Sequence, residues 1–425
     1  MRNRVMLLGL TLSLATPLGA QNGSGMPRAA RPEELGFSAA RLARIDSLIQ
    51  PLVASGQVPG AVVFIARNGR VAYHKAFGYR DIGTKAPLKP DDIFRIASQS
   101  KAITSAAVML LWEEGRFGLD DPIERYLPEF AKPTVLTKFN AADSTYEAEP
   151  ARRSITVRHL LTHSSGIDYA GIGSDEFKAI YAKAGVPSGI GNDRYTIGEK
   201  MRVLGKLPLR HQPGERFTYS LGNDVLGYFV EVISKMPFDQ FLRTRIFEPL
   251  GMRDSWFYLP ADRAVRLVTL HEGVEGKVLP RKGKLFDDVN PDYPNLKGTY
   301  FSGGAGLSGT IEDYAKFLQL FLNGGAFNGA RLLSPKTIEL MLTDQLPALP
   351  NNEFGLGFGL ETAANDHQSP RSIGSFSWGG AFSTSYWADP KEQLVALVYT
   401  NTFNVPGAGL IGARFPTLVY SALLK

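Results

Sequence analysis

Strand-forming runs stand at both ends of this chain, and helix-forming runs fill its middle. Near the N-terminus, Gly60-Ala-Val-Val-Phe-Ile-Ala-Arg67 and Arg70-Val-Ala-Tyr-His-Lys-Ala-Phe-Gly78 flank Asn68-Gly69. Two β-prone runs joined by Asn-Gly are the strongest short hairpin signal, because that pair tolerates the positive φ angles of a type I′ turn. In the last third, residues 358–362, 384–388 and 394–401 read as strands, the last holding the continuous apolar run Val-Ala-Leu-Val-Tyr. Residues 32–55 and 414–424 read as helices, and amphipathic helices are predicted in the middle over 156–162 and Gly222–Ser234. The loop 133–153, with mixed charge and few aliphatics, reads as solvated, with a lid over the groove as the alternative. The pattern predicts an α/β (α+β) fold. One antiparallel sheet flanked by helices is assembled from 32–120 and 297–425, with a mostly helical domain inserted at 121–296.

The first twenty residues carry a separate message. Arg2 and Arg4 precede the apolar run Val5-Met-Leu-Leu-Gly-Leu-Thr-Leu-Ser-Leu14, and small residues end at Gly19-Ala20. This is the layout of a cleavable secretory signal at 1–20, too short for a stable membrane anchor. An uncleaved N-terminal anchor is the alternative. No later stretch approaches the roughly 20 apolar residues of a transmembrane helix. Export to the periplasm or the medium is therefore predicted, with 21–31 as a flexible lead-in. The chain contains no cysteine, which excludes disulfides, a thiol nucleophile and Cys-based zinc sites. The formal charge of +6 includes Arg2 and Arg4, and the remaining excess is scattered. No dense basic run with interleaved aromatics suggests nucleic acid as a partner.

Three constellations carry chemistry. In Phe94-Arg-Ile-Ala-Ser98-Gln-Ser-Lys101, the apolar spacing of Ile103, Ala106, Ala107, Leu110 and Leu111 predicts a helix that opens near Ser98. Lys101 then lies three residues on, along the same face. A serine hydroxyl needs a base beside it to become a nucleophile. A buried lysine can serve as that base, or stay charged and stabilise a neighbouring phenolate. The plain alternative is a helix N-cap with a solvated lysine. In Pro213-Gly-Glu-Arg-Phe-Thr-Tyr219-Ser-Leu-Gly-Asn223, Tyr219 precedes a helix start, where it can take and return the serine proton if a cation lowers its pKa. A half-buried core tyrosine is the alternative there. In Ser375-Phe-Ser-Trp378-Gly379-Gly380-Ala381, two glycines let a substrate approach the backbone, and the strand edge offers N–H groups to an oxyanion. A simple β-turn is the alternative.

Together and in this order, these stretches resemble the serine β-lactamase and penicillin-binding-protein superfamily, most closely its class C β-lactamase-like esterase branch, the family-eight carboxylesterases. Ile155-Thr-Val-Arg-His-Leu-Leu-Thr-His-Ser-Ser-Gly166 and Gly303-Gly-Ala-Gly-Leu-Ser-Gly-Thr-Ile-Glu-Asp-Tyr-Ala-Lys-Phe317 agree with it. The resemblance covers residue 32 to the C-terminus. It implies a β-lactamase/transpeptidase-like fold, an all-helical domain beside the sheet, and a site in the groove between them. Ser98 is then the acylated nucleophile, Lys101 and Tyr219 its activators, and the N–H groups of Ser98 and Ala381 the oxyanion hole. Trp378, Gly379, Gly380 and Asn223 are expected at the substrate. No cofactor and no metal is implied.

Two departures bear on the substrate. Where β-lactamases carry a cationic Lys-Thr-Gly triplet, this chain reads Trp378-Gly379-Gly380, and their Tyr-x-Asn triplet appears as Tyr219-Ser220-Leu221. Loss of the cation removes a charge-assisted hydrogen bond worth about 1.5–3 kcal/mol to an anionic substrate. The expected reaction is therefore hydrolysis of short-chain carboxylic esters. Cleavage of amides, as by a β-lactamase, D-aminopeptidase or DD-carboxypeptidase, is the alternative. A non-catalytic binding module of the same fold is the alternative of another class.

Other motifs carry less. The α/β-hydrolase elbow Gly-x-Ser-x-Gly is absent. Gly304-Ala-Gly306-Leu-Ser-Gly309 fits a dinucleotide pattern but lacks a clear preceding strand, and reads as a structural turn. His159 and His163 have helical spacing but no His-Glu-x-x-His context, so they read as structural.

Overall fold

A computed structural model describes residues 25–286 and 289–424. The predicted signal peptide lies outside the described residues. β1 (Gly60–Arg67) and β2 (Arg70–Asp81) form the expected hairpin, and Asn68 and Gly69 take φ of 52° and 72°, as a type I′ turn requires. The chain's last third adds β4 (Gly359–Leu360), β5 (Phe376–Gly380), β6 (Thr384–Asp389) and β7 (Leu394–Tyr399). With β3 (Ala86–Pro87), they make a seven-stranded antiparallel sheet in the order β4-β5-β6-β7-β1-β2-β3. The join between the chain's two ends is β1 against β7, with Val62 opposite Tyr399 and Ile65 opposite Ala396.

Both faces of the central strands are covered, which explains their unbroken apolar runs. Ala61, Val63 and Ile65 point one way, with Trp387, Ala396 and Val398, against α1 (Ala39–Ala54) and α5 (Pro406–Ser421). Val62, Phe64 and Ala66 point the other way, with Val395 and Leu397, into the larger core that holds α2 (Ser100–Glu113) and α4 (Ile311–Leu322). Every residue of α2 from Ser100 to Leu111 is buried. That helix has no solvent face because α3 (Gly222–Ser234) packs on its other side.

Several expectations need correction. Residues 25–31 are not free: the Val71 N–H donates to Pro27 O at 2.8 Å, Ala29 N–H to Val71 O at 3.0 Å, and Met26 is buried. The segment lengthens the sheet edge along β2. The helix over 32–55 is divided at Gly36 (φ 75°), with Ser38 capping α1 by accepting from Arg41 N–H at 3.3 Å. The closing helix is longer than 414–424 and starts at Pro406, whose fixed φ suits a first helical turn.

The 121–296 segment is not all helical. Besides helices such as Val157–Leu161, Asp175–Ala184 and Ile197–Leu204, it holds two hairpins, Thr134–Asn140 with Thr145–Pro150 and His271–Val274 with Lys277–Pro280. The first replaces the loop expected at 133–153. Its second strand, Thr-Tyr-Glu-Ala-Glu-Pro, is exposed throughout, so no hydrophobic alternation marks it. Among the described residues no helix is long and apolar enough to cross a membrane.

Candidate active site

The chain enters the site through Phe94–Arg95, which pairs with Ser308–Gly309. It then turns sharply: Ala97 has φ of 44°, left-handed for a residue with a Cβ, and a single 3₁₀ turn leads into α2. Strain of this kind persists where surrounding contacts enforce it. Here the Ser100 hydroxyl donates to Ala97 O at 2.7 Å and accepts from Leu307 N–H at 3.1 Å. The Gln99 carbonyl accepts from Tyr314 OH at 2.9 Å. Ser98 is half-buried on the outside of this turn, while its neighbours Ala97 and Gln99 are buried.

Lys101 is the centre of the arrangement. Its ammonium donates to Gly304 O at 2.8 Å, Tyr169 OH at 3.3 Å and Ser98 Oγ at 3.4 Å. It also lies 4.5 Å from the centroid of the Tyr219 ring. Tyr169 and Tyr219 stack at 5.6 Å, and Tyr219 touches Trp378 at 5.8 Å and His163 at 4.8 Å. The structure thus gathers Ser98, Lys101 and Tyr219 around one ammonium. Burial pulls the lysine's pKa down. The phenols of Tyr169 and Tyr219, hydrogen bonding to Tyr219 and the Asp224 carboxylate outweigh it and raise the pKa above its ordinary value.

Its surroundings are tuned around that charge. Burial, reinforced by Lys101, holds the His163 pKa well below its usual range, so the imidazole beside Tyr219 is neutral. Burial pushes the Asp224 carboxyl up to about 6, against the opposing pull of Ser302 and Lys101. His159 does not share a site with His163. Its ring accepts from Thr156 N–H at 3.1 Å in a capping box, whereas His163 pairs with Ser220 Oγ at 3.2 Å. Among the described residues no group of three metal-ligating side chains converges.

β5 brings Trp378, Gly379 and Gly380 to the site as half-buried residues, and Ala381 follows at its exposed end. A Cβ on Gly380 would stand well inside 3.0 Å of the Ile96 carbonyl oxygen, so only glycine lets the strand end lie against the turn that carries Ser98. Two cavities reach Trp378 and Tyr219, respectively. One of about 560 Å³ is lined by Trp378, Phe354 and Arg371, and one of about 530 Å³ by Tyr219, Arg210 and Arg216, with Phe217 common to both.

Asn223 is not at the groove. It is buried, and its amide donates to Lys101 O at 3.4 Å, so it fastens α3 to α2. Three residues of the cluster escaped the sequence reading. Tyr169 lies just past the His-Ser-Ser-Gly stretch, Asp224 five residues after Tyr219, and Gly304 in the glycine run read as a structural turn. A polar side chain beginning an otherwise apolar helix was the available signal for Asp224.

Comparison with known proteins places the chain among Beta-lactamase-like relatives. A family model described as Beta-lactamase matches residues 45–418. Protein Rv1367c of Mycobacterium tuberculosis is 35% identical over 364 residues, which cover 82% of this chain and 87% of that protein. Esterase EstB of Burkholderia gladioli is 30% identical over 395 residues, 87% of this chain and 93% of EstB. The solved structure of EstCE1, described as a hydrolase with promiscuous acyltransferase activity, superimposes with a TM-score of 0.76 at 28% identity. The match covers 91% of this chain and 99% of EstCE1.

Proposed function

The chain belongs to the Beta-lactamase family, as an enzyme of the serine-hydrolase type, and from that premise we propose that it hydrolyses short-chain carboxylic esters through an acyl-enzyme on Ser98. The observation that carries the reading is the Lys101 ammonium, within 3.4 Å of Ser98 Oγ and stacked over the Tyr219 ring. Negative charge on the Tyr219 oxygen is stabilised by that ammonium, so with its proton lost the Tyr219 phenolate takes the Ser98 proton, becoming the neutral phenol, as Oγ attacks the ester carbonyl. The tetrahedral oxyanion is received by the N–H groups of Ser98 and Ala381, at the left-handed turn and the end of β5. As the C–O bond breaks, Tyr219 returns the proton to the departing alkoxide, which leaves as the alcohol. Water then repeats the sequence on the acyl-enzyme, releasing the acid and restoring Ser98.

Neutral acyl groups are favoured because Trp378-Gly379-Gly380 supplies aromatic surface and no cation. Export through the segment at 1–20 belongs to the same proposal.

The test compares kcat/KM for p-nitrophenyl butyrate, nitrocefin and a D-Ala-D-Ala peptide. The ester is expected to be the best substrate, and faster turnover of either amide overturns the ester assignment. Ser98→Ala, Lys101→Ala and Tyr219→Phe are each expected to cost on the order of 10³-fold or more with the melting temperature little changed, because the three act as a unit. Failure of the wild type to label with a fluorophosphonate at Ser98 would instead make the chain a binding module.

A further inference from the structure

Asp224 has no place in the steps above, yet it is among the most deeply buried polar side chains of the molecule, at 0% exposure. It opens α3, where the helix dipole favours an anion. Its carboxylate nevertheless turns away from the helix's own N–H groups and accepts from Gly304 N–H at 3.3 Å through Oδ1. Gly304 is also the residue whose carbonyl accepts from the Lys101 ammonium. One residue therefore ties the carboxylate to the lysine. The other oxygen, Oδ2, accepts no hydrogen bond from the described residues.

Two glycines wall that oxygen. A Cβ on Gly189 would stand 2.7 Å from Oδ2, and a Cβ on Gly304 3.2 Å from it. The same Cβ on Gly304 would stand 3.4 Å from Tyr169 OH and 3.5 Å from Lys101 Nζ. Carboxylate, phenol and ammonium thus converge on one face of Gly304. A buried carboxylate left half-unpaired is costly and calls for an explanation beyond packing.

We propose that Asp224 is a positioning residue of the reaction: its buried carboxylate, tied through Gly304, holds the proton on Lys101 and so leaves Tyr219 as the group that accepts the Ser98 proton. The inference rests on the acyl-enzyme reading and says which member of the pair is the base. The groups that face Asp224 are few. They are Lys101 from α2, Tyr169 from the segment after Gly166, and Tyr300 and Ser302 from the segment that ends at Gly304. Burial keeps the phenols of Tyr169 and Tyr300 protonated, and the Ser302 hydroxyl donates to Gly189 O at 2.6 Å. Lys101 is then the one cation facing the carboxylate within this set. His163 and Tyr219 face Lys101 from its other neighbours.

The test is the pH profile of kcat/KM for p-nitrophenyl butyrate in wild type and Asp224→Asn. The form that attacks has lost one proton from the Lys101–Tyr219 pair. Removing a negative charge beside the pair makes that loss easier, so the acid limb is expected to move to lower pH by about one unit or more. The maximal rate is expected to fall, because part of the deprotonated pair then carries its proton on Tyr219 instead of Lys101. A limb that stays in place, at any rate, overturns the proposal, since a merely structural role lowers activity evenly across pH.

If the variant does not fold, the wild type decides alone. The Lys101 signal of ¹³C-lysine-labelled protein, assigned by its loss in Lys101→Met, is expected to stay in the ammonium range across the acid limb. Titration of Lys101 with the limb overturns the proposal. A wild type with neither esterase activity nor Ser98 labelling would fail the acyl-enzyme reading itself, a different outcome from an active enzyme whose limb does not move.

Discussion

Asp224 also links the site to the stability of the chain. Its folded pKa of about 6 lies above the ordinary 3.8, so the folded protein holds this proton more tightly than the unfolded one. The stability tied to it is complete below about pH 3.8 and lost as pH rises through about 6. Ionisation of the carboxyl therefore weakens the fold as pH rises past about 6. Asp224→Asn is expected to shift the melting temperature by different amounts at pH 8, where the wild-type carboxyl is ionised, and at pH 4, where it is protonated; equal shifts at both would show that ionisation is not the cause. The grouping of Ser98, Lys101 and Tyr219 was legible in the sequence because the proposed chemistry demands a serine, a lysine three residues on and a phenol before a helix. Tyr169 and Asp224 were not, because their meaning comes from partners 68 and 80 positions away in the chain, which spacing does not encode.

At the scale of elements, the critical contact is between the end of β5 and the turn that carries Ser98. Gly380→Ala would press a methyl against the Ile96 carbonyl and the Thr384 hydroxyl, so the strand end must withdraw from the turn that carries Ser98. A displacement near 1 Å at a reacting centre can cost on the order of 100-fold. The expected result is a fall in kcat of about 10- to 100-fold with the melting temperature within a few degrees of wild type. An unchanged kcat would show that the strand end takes no part in aligning the ester. The elements most legible in the sequence were those with both a pattern and a boundary, such as the Asn68-Gly69 hairpin and α3. The exposed strand Thr145–Pro150 has neither alternation nor a buried face. It is held by pairing to Thr134–Asn140, with one exposed ion pair between Lys138 and Glu147, and that pairing leaves no mark on its own hydrophobic pattern.

For the whole molecule, the order of the sheet sets what can be removed. β7 lies between β6 and β1, so the strand that joins the two chain ends is also among the last to be made. Its outer face is sealed by α5, where Ile411, Phe415 and Val419 share a cluster with Ile45 and Ile49 of α1 and with Trp387 of β6. Cutting the chain after Thr402 removes α5 and uncovers that cluster. At roughly 25 cal/mol per Å² of apolar surface, losing one side of a two-sided core exceeds the 5–15 kcal/mol that holds a typical domain folded. The truncated chain is expected to lose cooperative melting and all esterase activity. Shortening the hairpin tip at 141–144 is expected to change neither by more than a few degrees or about twofold, because none of its residues is buried and none belongs to either core cluster. The pair is informative as a contrast. A truncated chain that still melts cooperatively and cleaves p-nitrophenyl butyrate would mean that the sheet closes without its α5 cover, and that the two chain ends are not mutually dependent.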